Sequence, residues 1–238
     1  MNHRANKSID GKTLAHQIIE NLKPDIATLG ERGVVPKLAV IIIGDNPISL
    51  YAIREKEHAA KKAGIAFELH HHSKTPSYQS LAEELQRIDR DPKVHGIIIQ
   101  RPLPPSISAA SLTKRVSLVK DVDGFCEKSP FHPPVACAVM HMLSEIYFRK
   151  ILGVQKPADD YSPEFIRWFK TKQVVLMGRG DIAGKPIANV LRKERIRFIQ
   201  TNSSTDDPTE FTVKSDIIIS AVGKPRVNTA NMIGEGAI

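Results

Sequence analysis

A buried strand, a glycine-rich turn and the beginning of a helix follow one another in the stretch VVLMGRGDIAGKP, residues 174–186. This arrangement directs backbone N–H groups and a helix N-terminus at one point, which suits a pyrophosphate and therefore indicates a dinucleotide site. The glycine spacing is G-x-G-x-x-x-G, one residue longer than the usual fingerprint. A tight strand-to-helix turn without a ligand therefore stays an alternative.

The residues around this turn favour NADP over NAD. Arg179 lies within the turn, where a guanidinium can bind a phosphate through two hydrogen bonds. The next predicted strand, residues 197–200, runs into the polar segment TNSS, residues 201–204, which contains Ser203. An NAD site usually has an acidic residue there for the ribose 2′-hydroxyl, and this segment has none.

Composition narrows the class of protein. The chain has 238 residues, of which 41% are hydrophobic, and a net charge of +8. Its apolar runs, such as residues 38–43, are too short to span a bilayer, and residues 1–7 lead into polar sequence, so we expect a cytoplasmic protein without a membrane segment. The positive charge suits an anionic partner, but it is scattered, and aromatic residues make up only 5% of the chain. We therefore expect no nucleic-acid partner.

The first half of the chain alternates helical and strand patterns. Helices are predicted over residues 10–29, 48–63 and 77–88, and strands over residues 37–43, 66–71 and 96–100. Continuously apolar strands with helices between them are typical of a parallel sheet that is covered on both faces.

The second half begins with a predicted helix over residues 136–151 and ends with a predicted strand over residues 216–221. We therefore predict an α/β protein of two lobes with a cleft between them. The N-terminal parallel-sheet catalytic lobe would span residues 1–135, a linking helix and linker residues 136–155, and a Rossmann-like NAD(P)-binding lobe residues 156–238.

Three polar residues follow the predicted strands or their connections in the first lobe. Lys56 lies on the helix after the first strand, Gln100 follows the third strand, and Asp123 lies in a later loop. Ligands bind at the carboxyl ends of parallel strands, where a desolvated lysine has a lowered pKa and can transfer protons. A solvent-exposed lysine is the more usual case. Asp123 either forms a turn with Gly124 or accepts paired N–H donors from a heterocycle.

Metal binding is not expected. His70 and His72 alternate with His71 along a strand, so only the first two could chelate together, and a polar strand end is the simpler interpretation. Cys126 and Cys137 lack metal-ligand spacing.

A set of short segments runs in order along nearly the whole chain. The segments are residues 9–12 (IDGK), 44–47 (GDNP) with Ser49, 100–104 (QRPLP), 120–125 (KDVDGF), 178–179 (GR), 182–186 (IAGKP), 221–225 (AVGKP) and 235–238 (EGAI). In this set and order the chain resembles the bifunctional methylenetetrahydrofolate dehydrogenase/cyclohydrolases, the FolD family.

The resemblance implies two reactions and a homodimer that pairs through the dinucleotide lobe. NADP takes a hydride from the methylene bridge of 5,10-methylenetetrahydrofolate, and water then opens the resulting methenyl cation to 10-formyltetrahydrofolate. It further implies that Lys56 transfers the proton in the second step, that Gln100 positions or tunes Lys56, and that Asp123 holds the pterin ring.

In the second lobe, the resemblance implies that Gly178, Arg179 and Gly180 bind NADP, with Arg179 at the 2′-phosphate; Ser203 is a further cofactor-binding candidate. The family usually has a serine where this chain has Gly180, so one hydroxyl donor is missing.

The chain departs from the family on the helix that carries Lys56. Ser49 and Tyr51 are its substrate-binding candidates, but the family has a tyrosine four residues before its lysine, where this chain has Ala52. Because one residue rotates a helix by about 100 degrees, Tyr51 should not stack on the pterin unless the helix is distorted.

Two further departures affect the substrate wall and the end of the chain. The family's Pro-Cys-Thr-Pro segment is Pro133-Pro134-Val135-Ala136 here, and the sequence stops at Ile238, where the family continues with another strand, a loop and a helix. We expect either a truncated chain or a short gene product. A degenerate relative that binds nucleotide or folate with little cyclohydrolase turnover is therefore an alternative to the bifunctional enzyme.

Overall fold

The computed structural model describes residues 8–154 and 161–238, which divide into two compact units, Gly11–Pro133 and a unit that begins at Pro134. The predicted junction of linker and second lobe, at residues 155 and 156, lies outside the described residues. So do residues 1–7. None of the described helices is long and apolar enough to cross a membrane.

The first unit alternates helices and strands as the sequence predicts. Its elements are α1 (Gly11–Glu31), β1 (Lys37–Ile43), α2 (Pro47–Ala63), β2 (Ala66–His72), α3 (Tyr78–Arg90), β3 (Gly96–Ile99) and α4 (Ala109–Thr113), followed by a 3₁₀ turn (Leu118–Lys120). The strands form a parallel sheet in the order β2-β1-β3, with Leu38 of β1 opposite Phe67 and Gly96.

Both faces of this sheet are buried because helices cover each of them. Ala39 and Ile41 of β1 pack in one apolar cluster with Leu81 of α3, and Val40 packs in a second cluster with Ile53 of α2. The carboxyl ends of β1 and β3 lie at one edge of the sheet, since the strands are parallel. The residues that follow these two strands are thereby brought together.

The second unit contains a second three-stranded parallel sheet. Its elements are α5 (Pro134–Glu145), a π-helical turn (Ile146–Ile151), α6 (Pro163–Lys170), β4 (Val174–Met177), α7 (Gly184–Lys193), β5 (Phe198–Thr201), α8 (Thr209–Thr212), β6 (Ile217–Ser220) and a 3₁₀ turn (Ala230–Met232). The strand order is β5-β4-β6. The α/β class with parallel sheets, predicted from sequence, is thus confirmed in both units.

The sheet of the second unit is also covered on both faces. Leu176 of β4 packs in one cluster with Phe165 of α6 and Ile187 of α7, whereas Met177 packs on the other face with Met232. Successive side chains of β4 therefore enter the two apolar clusters in turn, and packing on both faces holds this strand, whose carboxyl end carries the glycine turn.

Candidate active site

Helix α2 is a well-capped helix that carries Lys56 in its third turn. The Asn46 side chain accepts hydrogen bonds from the backbone N–H groups of Ile48 and Ser49, at 3.0 and 3.2 Å, and Pro47 occupies the first turn. These features set the beginning of the helix, because an N-cap acceptor and an early proline both stabilise it. The position of Lys56 relative to the sheet edge follows from that start.

Lys56 and Gln100 meet at the carboxyl edge of the sheet. Nζ of Lys56 donates a hydrogen bond of 3.0 Å to Oε1 of Gln100. The backbone N–H of Gln100 donates to the Ile41 carbonyl at 2.8 Å, and its Nε2 donates to the Arg101 carbonyl at 2.7 Å. Because a lysine ammonium can only donate, both side-chain contacts require the same orientation of the Gln100 amide.

Asp123 lies in a loop that is held by hydrogen bonds to the side chain of Asp121. Asp121 is only 3% exposed and accepts hydrogen bonds from the backbone N–H groups of Cys126 (2.8 Å) and Phe125 (3.4 Å). Gly124 has φ +62°, and a Cβ there would lie 2.6 Å from the Phe131 carbonyl oxygen. A glycine is therefore needed after Asp123, and the Asp-Gly pair is a structural turn as well as a site feature.

Burial shifts the pKa values of Lys56 and Asp123 in opposite directions. Burial lowers the pKa of Lys56 from its ordinary value, and the nearby Asp123 carboxylate partly offsets that effect. Burial raises the pKa of Asp123 to about 6; Lys56 and Arg101 act to lower it, and Asp121 acts to raise it. The site thus combines an amine that gives up its proton more readily than usual with a carboxylate that is ionised above about pH 6.

Arg101 is a site residue that the sequence reasoning did not single out. Its guanidinium carbon lies 3.7 Å from the centroid of the Phe125 ring, and Nη2 donates to Oγ1 of Thr113 at 3.3 Å. Arg101 lines the same small cavity, about 10 Å³, as Asp121 and Asp123. Its place directly after Gln100 was the available signal, since residues at a strand's carboxyl end share the site edge.

The two substrate-binding candidates on α2 lie in different environments. Ser49 is buried at 6% exposure in the first turn of the helix, whereas the Tyr51 side chain is 58% exposed. Helix α2 is regular between Pro47 and Ala63, so Tyr51 keeps the helical position expected from its place in the sequence.

The histidines of β2 bind carboxylates. His70 Nδ1 and His72 Nε2 contact the two oxygens of Glu84, at 3.0 and 2.8 Å, and His71 Nε2 contacts Asp45 at 2.8 Å. Over residues 8–154 and 161–238, no group of three or more His, Cys, Asp or Glu side chains is arranged to hold a metal ion.

The glycine turn of the second unit brings three backbone segments into close contact. Gly178 has φ +106°, and a Cβ at this position would lie 2.6 Å from the Ala221 carbonyl oxygen after β6. A Cβ on Gly184 would collide with the Gly178 carbonyl, whereas one on Gly180 would meet nothing within 4 Å. Gly178 and Gly184 thus allow α7 to begin directly above the end of β4.

The start of α7 suits an anion. The helix begins at Gly184, no side chain caps it, and its first turn contains no acidic residue. The positive end of the helix dipole lies next to the Gly178–Gly180 turn, as in sites that bind a pyrophosphate. The chain's own residues therefore fit a dinucleotide at this turn.

Arg179 extends from the turn to the edge strand β5. Its Nη2 donates to the Gln200 carbonyl at 3.1 Å, while Nε2 of Gln200 donates to the Gly178 carbonyl at 2.8 Å. An open depression of about 730 Å³ has a lining of three arginines and no acid: Arg179, Arg192, Ile196, Arg197, Phe198 and Gln200. Ser203 is exposed in the turn that follows β5.

Two family models match the chain in order. The model described as tetrahydrofolate dehydrogenase/cyclohydrolase, catalytic domain, matches residues 9–123, and that of its NAD(P)-binding domain matches residues 166–238. The chain belongs to this tetrahydrofolate dehydrogenase/cyclohydrolase family. The first match contains Lys56, Gln100 and Asp123, and the second contains the glycine turn of an NAD(P)-binding domain.

Curated members of the tetrahydrofolate dehydrogenase/cyclohydrolase family are similar along nearly the whole chain. The bifunctional protein FolD of Desulforamulus reducens is 34% identical over 98% of this chain and 78% of its own length. The FolD protein of Halalkalibacterium halodurans is 35% identical over 97% of this chain and 79% of its own length. Nothing in these comparisons favours the alternative of a degenerate relative.

Solved structures of family members share the fold. The bifunctional FolD enzyme of Campylobacter jejuni is 28% identical, with a TM-score of 0.82 over 96% of this chain and 78% of its own. The Trypanosoma brucei enzyme, solved with NADP and an inhibitor, is 28% identical, with a TM-score of 0.81 over 96% of this chain and 76% of its own.

Proposed function

We propose that the protein oxidises 5,10-methylenetetrahydrofolate with NADP and hydrolyses the resulting 5,10-methenyltetrahydrofolate to 10-formyltetrahydrofolate. The observation that carries the proposal is the hydrogen bond from Lys56 to Gln100, with Asp123 acting on the same ammonium, inside the segment that matches the family's catalytic domain. Curated relatives that share 34–35% identity are named bifunctional FolD proteins.

Lys56 is the proposed proton-transfer residue of the hydrolytic step. Water adds to the methenyl carbon, a carbon–nitrogen bond then breaks, and one proton is released for each cation that is hydrolysed. Because burial lowers the pKa of Lys56, its free amine is available to take the proton of the attacking water at a lower pH than an exposed lysine would allow.

Gln100 and Asp123 are proposed to position Lys56 and the substrate. The Gln100 amide holds Nζ of Lys56 at 3.0 Å and is itself held by the Arg101 carbonyl, so the amine is directed to one place. Asp123, ionised above about pH 6, can accept the paired N–H groups of a pterin ring. Ser49 and Tyr51 remain substrate-binding candidates on the same helix.

The proposed cofactor is NADP. When bound, its nicotinamide ring accepts the hydride from the methylene carbon. The turn Gly178–Gly180 and the start of α7 would hold the pyrophosphate, and Arg179 with Ser203 would hold the 2′-phosphate. The arginine-lined depression beside Arg179 supports a phosphorylated ribose, because guanidinium groups bind phosphate through paired hydrogen bonds.

The remaining assignments follow from family resemblance. We expect a cytoplasmic homodimer that acts in one-carbon metabolism and supplies formyl groups for purine biosynthesis, with tetrahydrofolate derivatives as its small-molecule partners. The net charge of +8 supports anionic ligands such as NADP and folates that carry glutamates.

Two spectrophotometric assays on purified protein test the proposal. One follows NADPH formation from 5,10-methylenetetrahydrofolate and NADP, and the other follows the decay of 5,10-methenyltetrahydrofolate after subtraction of the non-enzymatic rate. Both activities are expected. A folded protein with neither activity would overturn the proposed function.

A further inference from the structure

Arg101 holds a fixed positive charge beside the proposed catalytic residues. Its guanidinium lies 3.7 Å above the Phe125 ring and donates to Thr113, whose hydroxyl in turn donates to the Ala109 carbonyl at 2.8 Å. Thr113 is buried at 7% exposure. A guanidinium is charged at every physiological pH, and contact with an aromatic face and a buried hydroxyl fixes where that charge lies.

The cavity shared by Arg101 and Asp123 leaves little room for solvent. Its volume is about 10 Å³, and its wall includes Asp121, Phe125 and Thr113. A space of that size holds at most about one water molecule, so solvent screens the two charges less than it would at the surface.

We propose that Arg101 is a positioning residue of this site, whose guanidinium keeps Asp123 in its carboxylate form while its backbone carbonyl orients the Gln100 amide toward Lys56. The inference rests on the proposed function, because it assigns Arg101 a part in that reaction.

The need for a second cation follows from the role of Lys56. Three charged groups act on Asp123: Lys56 from α2, Asp121 from the same loop, and Arg101 from the segment after β3. When Lys56 is a free amine, it carries no charge and no longer favours the Asp123 carboxylate, whereas the Asp121 carboxylate still disfavours it. Of these three groups, Arg101 then supplies the positive charge that favours the Asp123 carboxylate, and its guanidinium cannot lose its proton.

A purely structural role for Arg101 makes a different prediction. If Arg101 only packs on Phe125, a substitution would alter stability without changing the titration of Asp123. A lysine at this position keeps the charge but loses the planar stacking group, whereas a glutamine loses the charge. The pair Arg101→Lys and Arg101→Gln therefore separates charge from packing.

The test measures the titration of Asp123 directly by ¹³C NMR on aspartate-labelled full-length protein, with the resonance assigned from Asp123→Asn. Arg101→Gln should move the Asp123 midpoint to higher pH, Arg101→Lys should leave it near the wild-type value, and the exposed control Arg87→Gln should not change it. In the methenyl hydrolysis assay, the rate at pH 6 relative to pH 8 should fall at least about twofold in Arg101→Gln.

An Asp123 midpoint that is unchanged in Arg101→Gln would overturn the inference. If that variant does not fold, Arg101→Met tests the same point, because it removes the charge and keeps an unbranched side chain against Phe125, and an unchanged midpoint would again contradict the inference. The titration needs no substrate. Failure of the proposed function would instead appear as absent hydrolysis in the wild-type protein, so the two failures are distinguishable.

Discussion

The ammonium of Lys56 donates a 3.0 Å hydrogen bond to the side-chain oxygen of Gln100, 44 residues further along the chain. Helix α2 supplies the lysine and the end of β3 supplies the glutamine, so the contact depends on the parallel pairing of β1 and β3. Gln100 is in turn held by the backbone of Arg101 at 2.7 Å. The proposed proton-transfer group is therefore positioned by the sheet and not by a flexible loop.

Replacement of Gln100 by glutamate should move the ascending limb of the pH-rate profile for hydrolysis to higher pH. A carboxylate next to Nζ favours the ammonium form, so the pKa of Lys56 rises and its free amine becomes available only at higher pH. The measurement is the pH dependence of methenyl hydrolysis, with Gln86→Glu on the exposed side of α3 as a matched control. An ascending limb that stays in place would contradict the assigned contact.

Replacement of Asp123 by asparagine should stabilise the fold at pH 8. Because burial raises the pKa of Asp123 from 3.8 to about 6, the folded state binds more protons than the unfolded state between these values, and stability falls as pH rises through that window. Removal of the charge should therefore raise the free energy of unfolding by up to about 3 kcal/mol at pH 8, and by nothing below about pH 3.5.

Urea unfolding at the two pH values measures this difference, and Asp121→Asn is its control in the same loop. The Asp121 carboxylate accepts backbone hydrogen bonds on both oxygens, so its replacement should destabilise the protein. Equal destabilisation by both substitutions at pH 8 would show that Asp123 is not a strained, desolvated carboxylate.

Replacement of Arg179 by glutamine should weaken NADP binding about 10- to 100-fold and leave NAD binding nearly unchanged. A charge-assisted hydrogen bond to phosphate contributes roughly 1.5–3 kcal/mol, and only NADP carries the 2′-phosphate. Titration calorimetry with both dinucleotides measures the effect, with the exposed Lys193→Gln in α7 as the control. Parallel losses for NADP and NAD would assign Arg179 to another part of the cofactor.

Replacement of Gly184 by alanine should destabilise the second unit, whereas Gly180→Ala should not. The added methyl group at Gly184 would collide with the Gly178 carbonyl, but at Gly180 it would meet nothing within 4 Å. Thermal unfolding followed by circular dichroism measures both variants, and a loss of about 1–3 kcal/mol is expected for Gly184→Ala alone. Similar unfolding curves for the two variants would contradict the tight turn.

Much of the fold follows from hydrophobic periodicity and from turn residues. Strand β1 is found at Lys37–Ile43, where six successive apolar residues follow a lysine, and α2 ends at Ala63, before Gly64. The predicted helix over residues 136–151 is α-helical only to Glu145, and a π-helical turn continues to Ile151. The N–H of Leu152 donates to the Tyr147 carbonyl, a five-residue spacing that periodicity alone does not reveal.

Helix α6 was missed although its signals were present. Ser162 caps the helix by accepting from the Phe165 N–H at 3.2 Å, Pro163 follows it, and Phe165 and Phe169 form an apolar stripe. These features are typical of a short amphipathic helix.

Only those residues of the candidate site that come after the strands of one parallel sheet could be predicted from the sequence. Lys56 and Gln100 were predictable because both follow strands of one parallel sheet. Arg101 directly follows Gln100, which places it at the same sheet edge, but its position beside Asp123 also depends on packing against Phe125, a contact between two loops that the sequence pattern does not reveal. The arginines around Arg179 were likewise separate in sequence, because Arg192 lies in the last turn of α7 and Arg197 precedes β5.

The most direct test of the central claim is the rate of 5,10-methenyltetrahydrofolate hydrolysis in Lys56→Met, compared with the wild type and with the exposed Lys62→Met on the same helix. Loss of a positioned proton-transfer group should reduce the rate about 10²- to 10⁴-fold, while Lys62→Met keeps the wild-type rate and Lys56→Met still binds NADP. Hydrolysis at the wild-type rate in a folded Lys56→Met protein would contradict the account.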